Sequence, residues 1–406
     1  MNVSRTLAGS AVIEGTCEPG FEPVLEVFTE NFERRREVGA SVCIHAGDRV
    51  VVDLWGGFRE PDQAQRWNRD TVSVVYSCTK AATALCAQIL IDRGQLDPDA
   101  KVARYWPQYA AAGKEDTTVL MMLNHTAGVP ALRAPVPRGG FNDWDYVTGR
   151  LEAEAPFWQP GTKTGYHMFS FGWTVGELVR RVSGQSLGAF FQEEIAGPLG
   201  LDFWIGLPPG KNPPIAPVIP YKPEPGDEMT DFVRALISDR ESTPYLAYLN
   251  NGRHDANSPE AHAAEIGGAG GIANARSLAA MYRPLANGGG VDGRTLLSRE
   301  RIDDMARLSS EAERDETLLI PTRFGQGFML SMDNRGLPTG NSVVIGSGAF
   351  GHVGMGGSIG FADPDAGLAF GYTMNRLGGG ILLNERGQGL IDAAYRCLGQ
   401  GVAGST

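Results

Sequence analysis

Gly351-His352-Val353-Gly354-Met355-Gly356-Gly357-Ser358-Ile359-Gly360-Phe361 contains the pattern G-x-S-x-G between Gly356 and Gly360. Two readings compete for it. In a nucleophile elbow the serine sits on a strained turn between a strand and a helix. Alternatively the stretch is a glycine-rich strand of an antiparallel sheet, and Ser358 is an ordinary strand residue. The residues that follow decide between them. Ile359-Gly360-Phe361-Ala362 continues as a strand into Asp363-Pro364-Asp365-Ala366-Gly367, a hairpin turn, with no helix after the serine. An elbow serine also precedes an acid and then a histidine along the chain. The six histidines are His45, His125, His167, His254, His262 and His352, all before Ser358. The elbow reading fails on both counts, and with 54 glycines the chain produces such short patterns by chance.

FGQGFMLSM, NSVVIGSG and SIGFADPDAGLAFGYTMN all read as antiparallel strands and turns, followed by a closing helix over Glu385–Leu398. Near the other end, Val24, Leu25, Phe28 and Phe32 recur at helical spacing within Phe21–Glu37. Ser41–Phe58 reads as two strands around Gly47-Asp48. Val72–Ser77 is a short apolar run that leads into TKAATALCAQILIDRG, a helix with Gly94 as its C-cap. Between these ends the pattern is helical, with helices at Val119–Asn124, Trp144–Glu154, Trp173–Val182 and Leu187–Ile195, and a further one at Arg276–Ala286 after GGAGGIANA. Pro208–Pro225 is too rich in proline for a helix or a central strand and reads as a surface loop, either a linker or a wall of the site. The expected fold is therefore α+β. Residues 1–75 and 268–406 form an antiparallel sheet flanked by helices, residues 76–267 form a mostly helical insertion, and the site lies between them.

The 406 residues suffice for two packed subdomains, and the hydrophobic content of 42% suffices for their cores. The net charge of −11, without a basic stripe, argues against nucleic acid and anionic membranes as partners. Cys17, Cys43, Cys78, Cys86 and Cys397 are odd in number and include no C-x-x-C pair, which reads as reduced thiols with neither a disulfide framework nor a zinc ribbon. MNVSRTLAGSAVIEG has no apolar core of a signal peptide, and no run has membrane-spanning length. The expectation is a soluble, cytoplasmic protein; nothing in the sequence specifies its oligomeric state.

Ser77-Cys78-Thr79-Lys80 places a lysine three residues after a serine at a helix start. At that spacing the two side chains share a face, so Lys80 can reach the Ser77 hydroxyl. Unpaired N–H groups at the helix start can hold an oxyanion. A desolvated lysine is disfavoured as an ammonium and can accept a proton. A capping serine beside a surface lysine is the ordinary alternative, but Lys80 is flanked by VVYSC and AATALC, an apolar setting. Tyr166, in Pro160-Gly161-Thr162-Lys163-Thr164-Gly165-Tyr166-His167-Met168, lies on a loop before a helix and can join the same proton network, or pack as an ordinary aromatic.

SCTK, PGTKTGYHM and GHVGMGG, in this order and at these separations, resemble the serine β-lactamase and penicillin-binding-protein superfamily. The similarity is greatest to the class C type and to the family VIII carboxylesterases, and it covers most of the chain from Ser41 to the last strand. The resemblance implies that Ser77 is the acylated nucleophile and that Lys80 and Tyr166 are base and proton shuttle. It also implies that His352-Val353-Gly354 occupies the place of the Lys-Thr-Gly motif, and that the N–H groups of Ser77 and Met355 form the oxyanion hole. Lys163-Thr164-Gly165 spells that third motif literally, but it stands on a loop ahead of the C-terminal strands and is rejected.

Two departures bear on substrate. Met168 stands where β-lactamases and peptidases have an asparagine, and methionine cannot hydrogen-bond an amide side chain. His352 replaces a permanently charged lysine that would hold a substrate carboxylate. With Gly354 and Gly356 these positions are the expected substrate-lining set. The resemblance thus implies a serine carboxylesterase acting on a small-molecule ester, with no metal or other cofactor. A β-lactamase or D-Ala-D-Ala-type peptidase, an acyltransferase, and a catalytically silent binding homologue are the alternatives.

Overall fold

A computed structural model describes residues 1–7, 11–60, 62, 64–223, 229–337 and 341–399. Its largest element is a ten-stranded antiparallel sheet. The order is Asn2–Thr6, Val12–Cys17, Arg49–Gly57, Gly39–Ala46, Leu368–Met374, Ile359–Asp363, Phe350–Val353, Met329–Leu330, Thr322–Phe324, Ser310–Ala312. The two ends of the chain meet in the middle of this sheet, where Gly39–Ala46 pairs with Leu368–Met374 in a register running from Ala46 opposite Leu368 to Ala40 opposite Met374. Both strands are buried along almost their whole length, as continuous apolar runs require. The Ala275–Ala286 helix packs on one side of them, and the paired helices Glu22–Arg34 and Glu385–Cys397 form a second helical layer.

Both hairpins expected from sequence form. The Gly47-Asp48 turn joins Gly39–Ala46 to Arg49–Gly57. In the second, the Asp363 carboxylate accepts the N–H groups of Asp365 (3.0 Å) and Ala366 (3.1 Å) and closes the turn between Ile359–Asp363 and Leu368–Met374. The expected strand in NSVVIGSG is not formed: Ser342 and Val343 make only isolated bridges, to Leu383 and Met332. Side chains have taken its backbone donors instead. Val344 donates to Gln388 Oε1, Ile345 to Ser331 Oγ and Gly346 to the Tyr395 hydroxyl. The N-terminal hairpin at the sheet edge has no counterpart in the sequence reading, because its strands are half-exposed and carry mixed polar residues.

The middle of the chain is helical, as its patterning requires, with helices at Cys78–Asp92, Trp144–Ala153 and Ser170–Ser183 among others. A second sheet is small and was not legible. It orders Phe203–Ile205, Gly271–Ala273, Val72–Val74 and Ile215–Ala216. Ile215–Ala216 lies inside the proline-dense segment, and it is an edge strand, the position where prolines nearby are tolerated. Glu224 and Pro225, at the end of that segment, lie outside the described residues. Among the described residues no helix is long and apolar enough to cross a membrane.

Candidate active site

Val72–Val74 runs through Val75 and Tyr76 into the Cys78–Asp92 helix, with Ser77 at the N-cap. Tyr76 has φ +46°, left-handed backbone that a bulky residue rarely adopts and that costs about 1–3 kcal/mol. The Ser77 hydroxyl makes no capping hydrogen bond, so the ordinary role of a serine at this position is not the one it fills. Its neighbour is Lys80 Nζ, 3.0 Å away and one helical turn on.

Lys80 is fully buried. Its Nζ donates to two main-chain carbonyls, Met168 O at 2.6 Å and Gly268 O at 2.7 Å. Carbonyls only accept, so they engage two N–H bonds, while a hydroxyl can donate as well as accept. A neutral amine has two N–H bonds and one lone pair, and the remaining direction is the one toward Ser77. Burial holds Lys80 well below the usual ammonium range. Gly268 can deliver its carbonyl because it lacks a side chain: a Cβ there would stand 2.5 Å from the Phe169 carbonyl oxygen.

Tyr166 is buried on the loop before the Ser170–Ser183 helix, with Lys80 Nζ 4.7 Å from its ring centre. Phe324 stacks on that ring at 6.0 Å, and His125 packs against it at 5.0 Å. Burial raises the phenol above its ordinary pKa, and a hydrogen bond with Ser77 pulls the other way. The group therefore stays protonated at neutral pH. Both oxygens of the buried Asp315 carboxylate accept the Tyr166 backbone N–H, at 2.9 and 3.0 Å.

The third element is the strand Phe350–Val353 and the turn after it. A Cβ on Gly354 would lie 2.3 Å from the Val75 carbonyl oxygen, so glycine is needed for this turn to sit against the segment that leads to Ser77. Gly356, in the same turn, packs on Leu377, where a Cβ would stand 2.5 Å from the leucine side chain. Among the described residues neither the Ser77 nor the Met355 backbone N–H has an acceptor within hydrogen-bond reach. His352 is buried, its Nδ1 lies 2.9 Å from Val353 O, and its ring centre is 6.0 Å from that of Tyr166. Burial pushes its pKa down to about 3, so the ring is neutral. Met168 is partly buried, with its carbonyl on Lys80.

The two decoys sit elsewhere. Ser358 is fully buried, precedes the strand Ile359–Asp363, and among the described residues its hydroxyl has no partner. Lys163 is exposed and paired with Glu316 at 2.9 Å. Two participants had escaped the sequence reading. Gly268 belongs to the GGAGG run, whose density of glycine before a helix was a usable signal. Asp315 lies in the charged run Glu311-Ala312-Glu313-Arg314-Asp315-Glu316, where nothing marks one carboxylate as buried. Among the described residues no cluster of three or more His, Cys, Asp or Glu side chains is placed to hold a metal.

The chain is similar to known proteins over most of its length. The beta-lactamase family model matches residues 25–391. The esterase/beta-lactamase LipL of Mycobacterium tuberculosis is 36% identical over 367 residues, covering 89% of this chain and 83% of LipL. The crystal structure of a family VIII carboxylesterase superposes with a TM-score of 0.84 at 39% identity, covering 95% of this chain and 99% of the other. A penicillin-binding protein homologue from Caulobacter crescentus gives a TM-score of 0.84 at 34% identity, with the same coverage.

Proposed function

The chain belongs to the beta-lactamase family and is a serine carboxylesterase, and from that premise we propose that it cleaves esters through an acyl-enzyme on Ser77. The observation that carries the reading is the environment of Lys80, whose two carbonyl partners leave its third direction to the Ser77 hydroxyl. Lys80, held neutral by burial, takes the seryl proton as the oxygen attacks the ester carbonyl. Tyr166, held as a phenol, gives its proton to the departing alcohol and is reprotonated from the Lys80 ammonium, so the seryl proton ends on the alcohol. The free N–H groups of Ser77 and Met355 receive the developing oxyanion, the charge stabilisation that usually contributes most to such a reaction. Water then enters by the same route in reverse and releases the acid.

The neutral, buried His352 and the side chain of Met168 favour an ester without a carboxylate over a β-lactam, since neither supplies a cation or an amide donor to the substrate. We place the site between a sheet domain (1–75 and 268–406) and a helical domain (76–267). A cytoplasmic location is proposed on the strength of the five free thiols.

The test is turnover of a short-chain aryl ester and of a chromogenic cephalosporin by wild type and Ser77→Ala. The expected result is ester hydrolysis by wild type well above cephalosporin turnover, and a loss of at least about 10³-fold in Ser77→Ala. Ester turnover preserved in Ser77→Ala would remove the nucleophile. Fast cephalosporin turnover with little ester cleavage would move the reading to a β-lactamase.

A further inference from the structure

A carboxylate buried without a cation is costly unless donors surround it. Asp315 is fully buried, and it is surrounded by N–H and O–H donors alone. Oδ1 accepts the N–H groups of Thr317 and Leu318, each at 2.8 Å; Oδ2 accepts the Thr322 hydroxyl at 3.1 Å; and the Tyr166 N–H points between both oxygens. Three of these four donors belong to the loop and strand that carry Asp315 itself, and the fourth is the backbone of the proposed proton donor.

The loop is built to hold that position. Asp315 N–H donates to Ile320 O at 2.9 Å, Leu319 N–H donates to Asp315 O at 3.0 Å, and Leu319 takes a left-handed φ of +59°. Glu316 N–H reaches Thr164 O at 3.1 Å, a second tie to the Tyr166 loop. On either side of Tyr166, Gly165 N–H donates to His125 O and His167 N–H to His125 Nδ1, both at 3.1 Å. Thr322 opens the strand Thr322–Phe324, and Phe324 stacks on the Tyr166 ring. One short segment of the sheet thus fixes both the amide and the ring of Tyr166.

We propose that Asp315 is a positioning residue for Tyr166, its carboxylate fixing the Tyr166 amide so that the phenol stands against Ser77. The inference rests on the reading of Tyr166 as the proton donor to the alcohol. It explains the residue type. Only a carboxylate offers acceptors on both oxygens; an asparagine would turn an NH2 toward the Tyr166 N–H or the Thr322 hydroxyl. Burial pushes the Asp315 pKa up to about 6, with its hydrogen bonds opposing, so the group is ionised in an assay near pH 8.

The experiment compares wild type, Asp315→Asn, Tyr166→Phe and the double variant on an aryl ester, with near-ultraviolet circular dichroism and Tm to establish folding. In Asp315→Asn, kcat should fall about 10²-fold, the scale of a displacement near 1 Å at a reacting group, while KM stays within about twofold. The double variant should be no slower than Tyr166→Phe, because Asp315 acts through the phenol. Wild-type kcat in folded Asp315→Asn, or losses that multiply in the double variant, would overturn the inference. Wild-type activity in Tyr166→Phe alone would strike the underlying reading of Tyr166, and the inference with it. Should Asp315→Asn not fold, Thr322→Val, which removes one donor from Oδ2, replaces it under the same criteria with an expected drop in kcat of about two- to tenfold.

Discussion

Among the described residues two lysines are fully buried, Lys80 and Lys114, and their surroundings differ. Each has its Nζ over a tyrosine ring, 4.7 Å from the centre of Tyr166 and 5.1 Å from that of Tyr109. Lys114 donates to three carbonyls, those of Ala111, Glu152 and Glu154. Three acceptors need three N–H bonds, so this site binds an ammonium. Burial lowers its pKa only to about 8, because Glu154 and Glu152 oppose the effect. Lys80 has two carbonyls and a hydroxyl, and no carboxylate counters its desolvation. On the proposed reading, exchanging one carbonyl for a serine hydroxyl and removing the nearby acids converts a structural anchor into a base. Burial alone does not make a lysine chemical; the character of its third partner does.

The strongest way to break that comparison is to remove each lysine. Lys80→Met should lose about 10³-fold or more in kcat on an aryl ester, the upper part of the range for a general base. Lys114→Met should keep kcat per folded molecule within about twofold, yet lose about 3 kcal/mol of stability in urea titration, because three carbonyls lose their donor inside the protein. Equal losses of kcat in the two folded variants would erase the distinction.

A smaller effect should appear in the pH profile. A base must be unprotonated, so kcat/KM should be lost as pH falls through the depressed pKa of Lys80 and should level off above it. His352, at about 3, and His125, held well below its usual value by burial, stay neutral at neutral pH and add no step, whereas Asp315, raised by burial to about 6, adds a second loss as pH falls through that value if its carboxylate positions Tyr166. Deprotonation of Lys114 near 8 should leave kcat unmoved. A rate that declines as pH rises through the Lys80 titration would mean that the ammonium form works, and Lys80 would then be no different in kind from Lys114.

The smallest effects belong to the two decoys. Lys163→Ala removes only an exposed ion pair with Glu316, worth about 0–1 kcal/mol, and Ser358→Ala removes a buried hydroxyl that has no partner. Both should retain ester turnover within about twofold, with Tm unchanged or, for Ser358→Ala, slightly raised. Loss of turnover in either would reopen a motif that the order of the elements had closed.

The sequence alone determined the class of fold. The apolar strands and turns at both ends, the 3.6-residue period between them, and a hairpin directly after Ser358 are local patterns, and local patterns survive in one dimension. It also determined the pair Ser77 and Lys80, because one helical turn links them whatever else the chain does. The role of Tyr166 and the place of Met355 came from the resemblance, since no local rule ties either to Ser77. Tertiary structure decided what surrounds these groups. Gly268 lies 188 residues from Lys80 and Asp315 lies 149 from Tyr166, and no period connects residues so far apart. It also decided the state of each proton. Whether a lysine is an ammonium or an amine, and a tyrosine a phenol or a phenolate, depends on desolvation and on the third hydrogen-bond partner. Both are properties of the packed protein and not of the string that encodes it.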